Sequence, residues 1–182
     1  MMKVVAMENV TGVKGLIILE DFLPKEVSEK IQHTLIGDNC QFPWFFNNNI
    51  IEEDPIALTS FQFTHMFFNT NQVTSMYYAD LIYPFLTLLK TEAVIRVKAN
   101  LTGVAPNFPE KNISGFHTDT EGANNKTAIY YVNSNNGKTV FPNGTEIDSV
   151  ANRMVIFDAR ELHAGVSCTD KQVRCVINFN YF

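Results

Sequence analysis

The chain has 182 residues, 46% of them hydrophobic and 18% charged, with a formal net charge of −5. That length and apolar content suit one domain around a single core and exclude a disordered chain. The acidic balance lacks the basic footprint of a nucleic-acid binder, and no run of about 18 apolar residues offers a membrane span. The cysteines Cys40, Cys168 and Cys175 form no C-x-x-C pair, and their odd number argues against a disulfide framework. With no apolar leader after Met1, a soluble, reduced, cytoplasmic protein is expected; nothing in the sequence sets its oligomeric state. Asn-x-Ser/Thr triplets begin at Asn9, Asn100, Asn112, Asn125 and Asn143, as an Asn-rich chain produces by chance.

Gly15 to Leu19 reads as a short buried strand, and Pro24 then opens a helix with Glu26 in its first turn. Val27, Ile31 and Leu35 form the apolar stripe of that helix, Gly37 ends it, and His33 lies off the stripe and faces outward. Residues 39–56 mix Asn, Pro and aromatics around Trp44 and read as a loop with short extended pieces. Phe61 to Phe67 alternates as a strand, which gives His65 the parity of a structural, partly buried residue. Val73, Met76, Tyr77, Leu81, Phe85 and Leu88 follow helical spacing, so a second helix with a core-facing stripe is predicted over 73–90. Beyond Lys90 the pattern becomes strand-like: Val94 to Leu101, Thr127 to Val132, Lys138 to Phe141, Arg153 to Phe157 and Val173 to Tyr181, with Asn136-Gly137 as a hairpin signal. Two helices followed by many short strands predict an α+β domain on a jelly-roll or barrel.

His117 and Asp119 stand at i and i+2, so in an extended segment their side chains share a face and can grip one ion. With His163 they supply two imidazoles and a carboxylate, the facial set that suits non-haem iron(II). Arg174 lies inside the apolar strand from Val173 to Ile177, and a buried guanidinium needs an anion. That anion is either an internal carboxylate or a ligand's carboxylate held by the two-pronged guanidinium. Strand parity puts Arg174, Val176, Asn178 and Asn180 on one face, and Cys175, Ile177, Phe179 and Tyr181 on the other. The first face is too polar for core and suits the wall of a wet pocket.

These residues, together with Thr127 to Asn133, Gly137 to Phe141 and Arg153 to Phe157, resemble the Fe(II)/2-oxoglutarate-dependent dioxygenases, most of all their prolyl 4-hydroxylase-like branch. The resemblance spans about residues 94–181, and Leu19 to Pro24 is similar to the family's N-terminal start. It implies one catalytic domain over residues 1–182: a double-stranded β-helix (jelly-roll) core over about 92–182, flanked by N-terminal helices over 24–90. It implies iron(II) on His117, Asp119 and His163, and 2-oxoglutarate with its distal carboxylate on Arg174 and a hydrogen bond to Tyr131. Asn100 stands where relatives often carry a tyrosine that touches the cosubstrate, and strand alternation puts Asn178 and Asn180 in the pocket beside Arg174. O2 would be the oxidant, succinate and CO2 the products, with ascorbate an optional reductant. The implied substrate is a prolyl or other amino-acid C–H bond in a protein or peptide, or a small molecule. Trp44, Phe45, Asn47 to Asn49, Asn124 and Asn125 are its expected rim.

Two rivals share parts of this pattern. A non-enzymatic, cupin-like binding module shares the fold but has no use for the triad and Arg174 together. A zinc hydrolase accommodates three ligands and a water but leaves Arg174 and Tyr131 without a task.

Overall fold

Polar and apolar residues alternate along much of the second half of the chain, and a period of two buries one face of a strand and frees the other. The computed structural model describes residues 2–7, 11–48, 61–104, 115–120, 122 and 124–182, and the fold is mostly antiparallel sheet with few helices. The large sheet runs β1 (Lys3–Met7), β2 (Ile17–Glu20), β10 (Arg153–Asp158), β7 (Lys126–Tyr131), β12 (Val173–Tyr181), β6 (Val94–Gly103), β4 (Gln62–Asn69) and β3 (Phe45–Asn47), with β5 (Gln72–Val73) paired to β4. A small sheet has the order β11 (Ala164–Val166), β8 (Lys138–Val140), β9 (Glu146–Asp148).

The strand faces sort into two cores. Ile129, Tyr131, Val155, Phe157 and Val176 of the large sheet join Phe141 and Ile147 in one cluster. The opposite faces of the same strands supply Ala128, Tyr130, Met154, Ile177 and Phe179 to a second cluster. That cluster also contains Ile31 and Leu35 of α1 (Lys25–Ile36) and Phe85 of α2 (Tyr83–Leu89). The Tyr130 hydroxyl donates to Ser28 Oγ at 2.8 Å, so the helix is tied to the sheet by a buried polar contact as well as by packing.

Two sequence readings need correction. The second helix starts later than its stripe suggests: Val73 lies in β5, a π-turn covers Tyr78–Ile82, and only Tyr83–Leu89 is α-helical. Pro84 has no N–H to donate one turn back, so a continuous α ladder through this point is impossible. Val73 (57% exposed) and Met76 (89%) consequently face solvent instead of the core. The hairpin at Asn136-Gly137 is also absent, because β7 pairs with β10 and β12 while β8 belongs to the other sheet. Asparagine side chains stabilise the crossing. Asn133 accepts from the Cys175 N–H at 3.0 Å and donates to the Val173 carbonyl at 2.8 Å, and Asn135 accepts from the Gly137 N–H at 2.9 Å.

Candidate active site

Register places a polar patch on one face of the large sheet. Arg174 is opposite Thr102, Val176 opposite Asn100, Asn178 opposite Lys98 and Asn180 opposite Arg96. Across the other edge of β12, Val176, Asn178 and Asn180 meet Tyr131, Ile129 and Thr127. The alternate residues Val97, Ala99, Cys175, Ile177, Phe179 and Tyr181 are buried in the helix-backed core. Asn178 and Asn180 thus share the face of Arg174, as does Asn100.

One end of this face carries the metal-ligand set. His117 and His163 exchange backbone N–H···O bonds, each 3.0 Å, and the Asp119 N–H donates to the Ala159 carbonyl, which fixes two loops against each other. One ligand atom from each of His117, Asp119 and His163 lies within 4.8 Å of the other two. Backbone carbonyls hold both imidazoles: His117 Nδ1 lies 3.2 Å from Gly115 O, and His163 Nδ1 lies 3.0 Å from Glu161 O. A protonated Nδ1 on each ring leaves the Nε2 lone pair for a metal. Burial pushes the His163 imidazole below its usual value, which keeps it neutral and ligand-ready.

Asp119 is braced at both oxygens. Arg96 donates to Oδ1 at 2.8 Å and the Thr127 hydroxyl donates to Oδ2 at 2.7 Å. Asn180 connects the two braces, accepting from Arg96 Nε at 2.9 Å and donating to Thr127 Oγ1 at 3.0 Å. Burial by itself raises the Asp119 carboxyl, but His163, Arg96 and the Thr127 bond outweigh it and hold the group below the usual carboxylate range. It is therefore an anion at neutral pH.

The other end carries Arg174, 7% exposed. Its Nε donates to Ser149 Oγ at 3.0 Å, and one terminal nitrogen lies 3.3 Å from both the Lys138 carbonyl and Thr139 Oγ1. The guanidinium carbon is 5.6 Å from the Tyr131 ring centre, and the Tyr131 hydroxyl donates to Thr139 Oγ1 at 2.7 Å. No described carboxylate lies within ion-pair distance of Arg174, and burial lowers its guanidinium from the usual range. Between the two ends, Asn100 Oδ1, Thr102 Oγ1 and Asn178 Oδ1 are buried without a hydrogen-bond partner among the described residues. A buried guanidinium with no described carboxylate, set on the same face as unpartnered amide and hydroxyl oxygens, suits a polar ligand whose anionic end meets Arg174.

Several contributors escaped the sequence reading. Arg96, Thr127, Thr139 and Ser149 act through other side chains; for Arg96 the signal was present, a charged residue inside the alternating run from Val94 to Asn100. Gly137 matters through space: a Cβ there would lie 2.6 Å from Arg174 Cδ and 2.7 Å from the Val166 carbonyl, so only glycine admits the guanidinium stem. The expected rim divides. Phe45 is exposed, but Trp44 turns inward, donating from Nε1 to the Leu35 carbonyl at 3.1 Å and packing edge-on against Phe42. Asn125 is buried beside the metal loop and donates to Thr120 Oγ1 at 2.9 Å, while Asn49 lies outside the described residues. His65 is buried between the Pro43 carbonyl and Ser75 Oγ, each at 2.7 Å, and His33 is exposed.

No family model and no curated protein matches the sequence. Solved structures do. A prolyl hydroxylase from Trichoplax adhaerens, solved with a hypoxia inducible factor oxygen degradation domain peptide fragment, is 13% identical with a TM-score of 0.62, covering 97% of this chain and 87% of that one. The viral collagen prolyl hydroxylase of Paramecium Bursaria Chlorella virus-1, a 2-oxoglutarate complex, is 15% identical with a TM-score of 0.52, covering 94% and 98%. HygX from Streptomyces hygroscopicus, with nickel, 2-oxoglutarate and hygromycin B bound, is 8% identical with a TM-score of 0.60, covering 95% and 84%. The fold is that of the 2-oxoglutarate–Fe(II) oxygenases, prolyl hydroxylases among them, and it carries a His-Asp-His cluster.

Proposed function

We propose that this chain is a single-domain Fe(II)/2-oxoglutarate-dependent dioxygenase that hydroxylates a prolyl or other amino-acid C–H bond in a protein or peptide, with release of succinate and CO2. One observation carries the reading: the His117, Asp119 and His163 donors and the buried Arg174, which has no carboxylate partner among the described residues, lie at opposite ends of one sheet face. The donor set fits the metal. Two neutral imidazole nitrogens and one carboxylate suit a divalent iron and leave open coordination positions. The face also fits the cosubstrate, because Arg174 has no carboxylate partner among the described residues and the Thr102 hydroxyl opposite it, also without a described partner, can donate to an anion.

When bound, iron, 2-oxoglutarate and O2 supply the oxidising chemistry. The protein supplies placement. Backbone carbonyls aim the two Nε2 atoms, and Arg96, Thr127 and Asn180 hold the Asp119 carboxylate in one orientation. Arg174 would clasp the distal carboxylate, with Ser149 and Thr139 fixing the fork and Tyr131 forming its wall. Phe45 (62% exposed) on β3 lies opposite Thr64, which pairs with Asn100 on the site face, and offers an exposed aromatic ring at that edge that suits a peptide-sized substrate. A direct assay is substrate-free conversion of 2-oxoglutarate to succinate. It should require iron(II) and O2 and disappear in His117→Ala and His163→Ala; equal turnover in those variants would refute the assignment.

A further inference from the structure

Lys98 is a third cation on this face of the sheet, after Arg174 and Arg96. Its neighbours Val97 and Ala99 are fully buried in the helix-backed core, so strand alternation turns Lys98 to the side of Arg96 and Asn100. Register seats it between Asn178 on β12 and Met66 on β4, two residues from the orphan Asn100 Oδ1 and directly across from the orphan Asn178 Oδ1. No described carboxylate lies within ion-pair distance of it. The nearby acid, Asp119, already has Arg96 on one oxygen and Thr127 on the other. Burial pushes the half-buried Lys98 ammonium below its usual value, the Arg96 charge adds to this, and the Asp119 carboxylate opposes it only in part.

We infer that Lys98 is a specificity residue that receives a carboxylate of the primary substrate, so that the enzyme acts on an acidic small molecule or on a peptide with an acidic group next to the oxidised position. This rests on the function proposed above. There, Arg174 would hold the distal carboxylate of the cosubstrate, and Lys98 is left without an assigned anion. The ion pair of Asp119 with Arg96 leaves the face short of negative charge, and Lys98 adds to that deficit. A single ammonium beside amide groups matches one carboxylate; a phosphate dianion would need a denser set of donors.

The test uses protein loaded with zinc(II) and 2-oxoglutarate, which binds without turning over. Two probes differ only in one charge: the amide of N-acetylglutamate, with its free side-chain carboxylate, and the amide of N-acetylglutamine. Calorimetry should show the acid binding the wild type at least ten-fold more tightly than its neutral partner. Lys98→Met should bring the two within two-fold, Lys98→Arg should keep part of the preference, and 2-oxoglutarate affinity should change by less than two-fold in both. Lys98→Gln serves as a second neutral variant if Lys98→Met melts early. Equal binding of acid and amide by the wild type, or a preference that survives in the neutral variants, overturns the inference. So does a loss of 2-oxoglutarate binding in Lys98→Met, which would assign Lys98 to the cosubstrate. Failure of the wild type to bind 2-oxoglutarate at the outset would instead count against the function on which the inference rests.

Discussion

Arg96 and Asp119 form a 2.8 Å ion pair, and through Nε the same arginine holds Asn180, which in turn bonds the threonine on the other Asp119 oxygen. Three strands, β6, β7 and β12, therefore converge on the orientation of one carboxylate. The pair is almost dry on the Asp119 side (4% exposed) and 28% exposed on the Arg96 side.

Removing this brace should weaken the metal site without removing a ligand. Arg96→Gln should lower divalent-metal affinity by about ten- to a hundred-fold, the usual effect of losing a group that orients a ligand. Arg96→Lys should recover part of it. Cobalt(II) titration followed by absorbance reads this directly, and an affinity equal to wild type would show that Asp119 orients itself.

Gly137→Ala should act at the other end. The added methyl group would overlap Arg174 Cδ, and relief requires the guanidinium stem or the β8 approach to shift. A destabilisation of about 1–3 kcal/mol is expected from such overpacking. A weaker hold on 2-oxoglutarate, with metal affinity unchanged, should accompany it. Paired urea melts and calorimetric titrations separate the two effects, and an unchanged variant in both would contradict the close approach.

Much of this site was legible in the sequence because two strong local signals coincide. His117-x-Asp119 and the alternation from Val173 to Tyr181 each fix a face from spacing alone, and in the structure those faces meet. Three features were hidden for physical reasons. The Asn136-Gly137 pair satisfies a turn preference locally, but β7 finds both its partners far along the chain, so tertiary pairing overrides the dipeptide. The helix over 73–90 has the right spacing, but β5 takes its first residue, Val73, and Pro84 breaks its ladder. Among the described residues the Arg96 guanidinium bonds Asp119 and Asn180, and a residue that works through others has no motif of its own.

Acid should destabilise the metal-free protein in a window set by its buried imidazoles. Burial holds His65 below its ordinary value of 6.5, and His163 shifts in the same direction. Between the depressed folded value and 6.5, the unfolded chain binds a proton that the folded chain refuses, so stability is full above that window and falls as the pH drops through it. Urea midpoints should fall between pH 7.5 and pH 5.5. His65→Gln should flatten part of that slope, since it titrates nowhere in this range. A midpoint that rises on acidification would reverse the sign and contradict the neutral, hydrogen-bonded assignment of His65.

Tyr131→Phe probes the wall of the cosubstrate pocket more gently. It removes the 2.7 Å bond to Thr139 but keeps the ring beside Arg174. A loss of about 0.5–1.5 kcal/mol in stability is expected, together with a decrease in 2-oxoglutarate affinity smaller than that caused by Arg174→Ala. A larger decrease than in the arginine variant would make Tyr131 the principal anchor.

The central claim is that Arg174 faces a dicarboxylate ligand across from the His-Asp-His cluster. Calorimetry on zinc-loaded protein, with 2-oxoglutarate and with 2-oxopentanoate, which lacks the distal carboxylate, tests it most directly. Wild type should favour 2-oxoglutarate by ten-fold or more, because a charge-assisted hydrogen bond contributes about 1.5–3 kcal/mol. Folded Arg174→Ala should lose that preference while keeping its zinc, and Arg174→Lys should restore only part of it. If folded Arg174→Ala binds 2-oxoglutarate as tightly as wild type, Arg174 is structural and the dioxygenase reading loses its principal support.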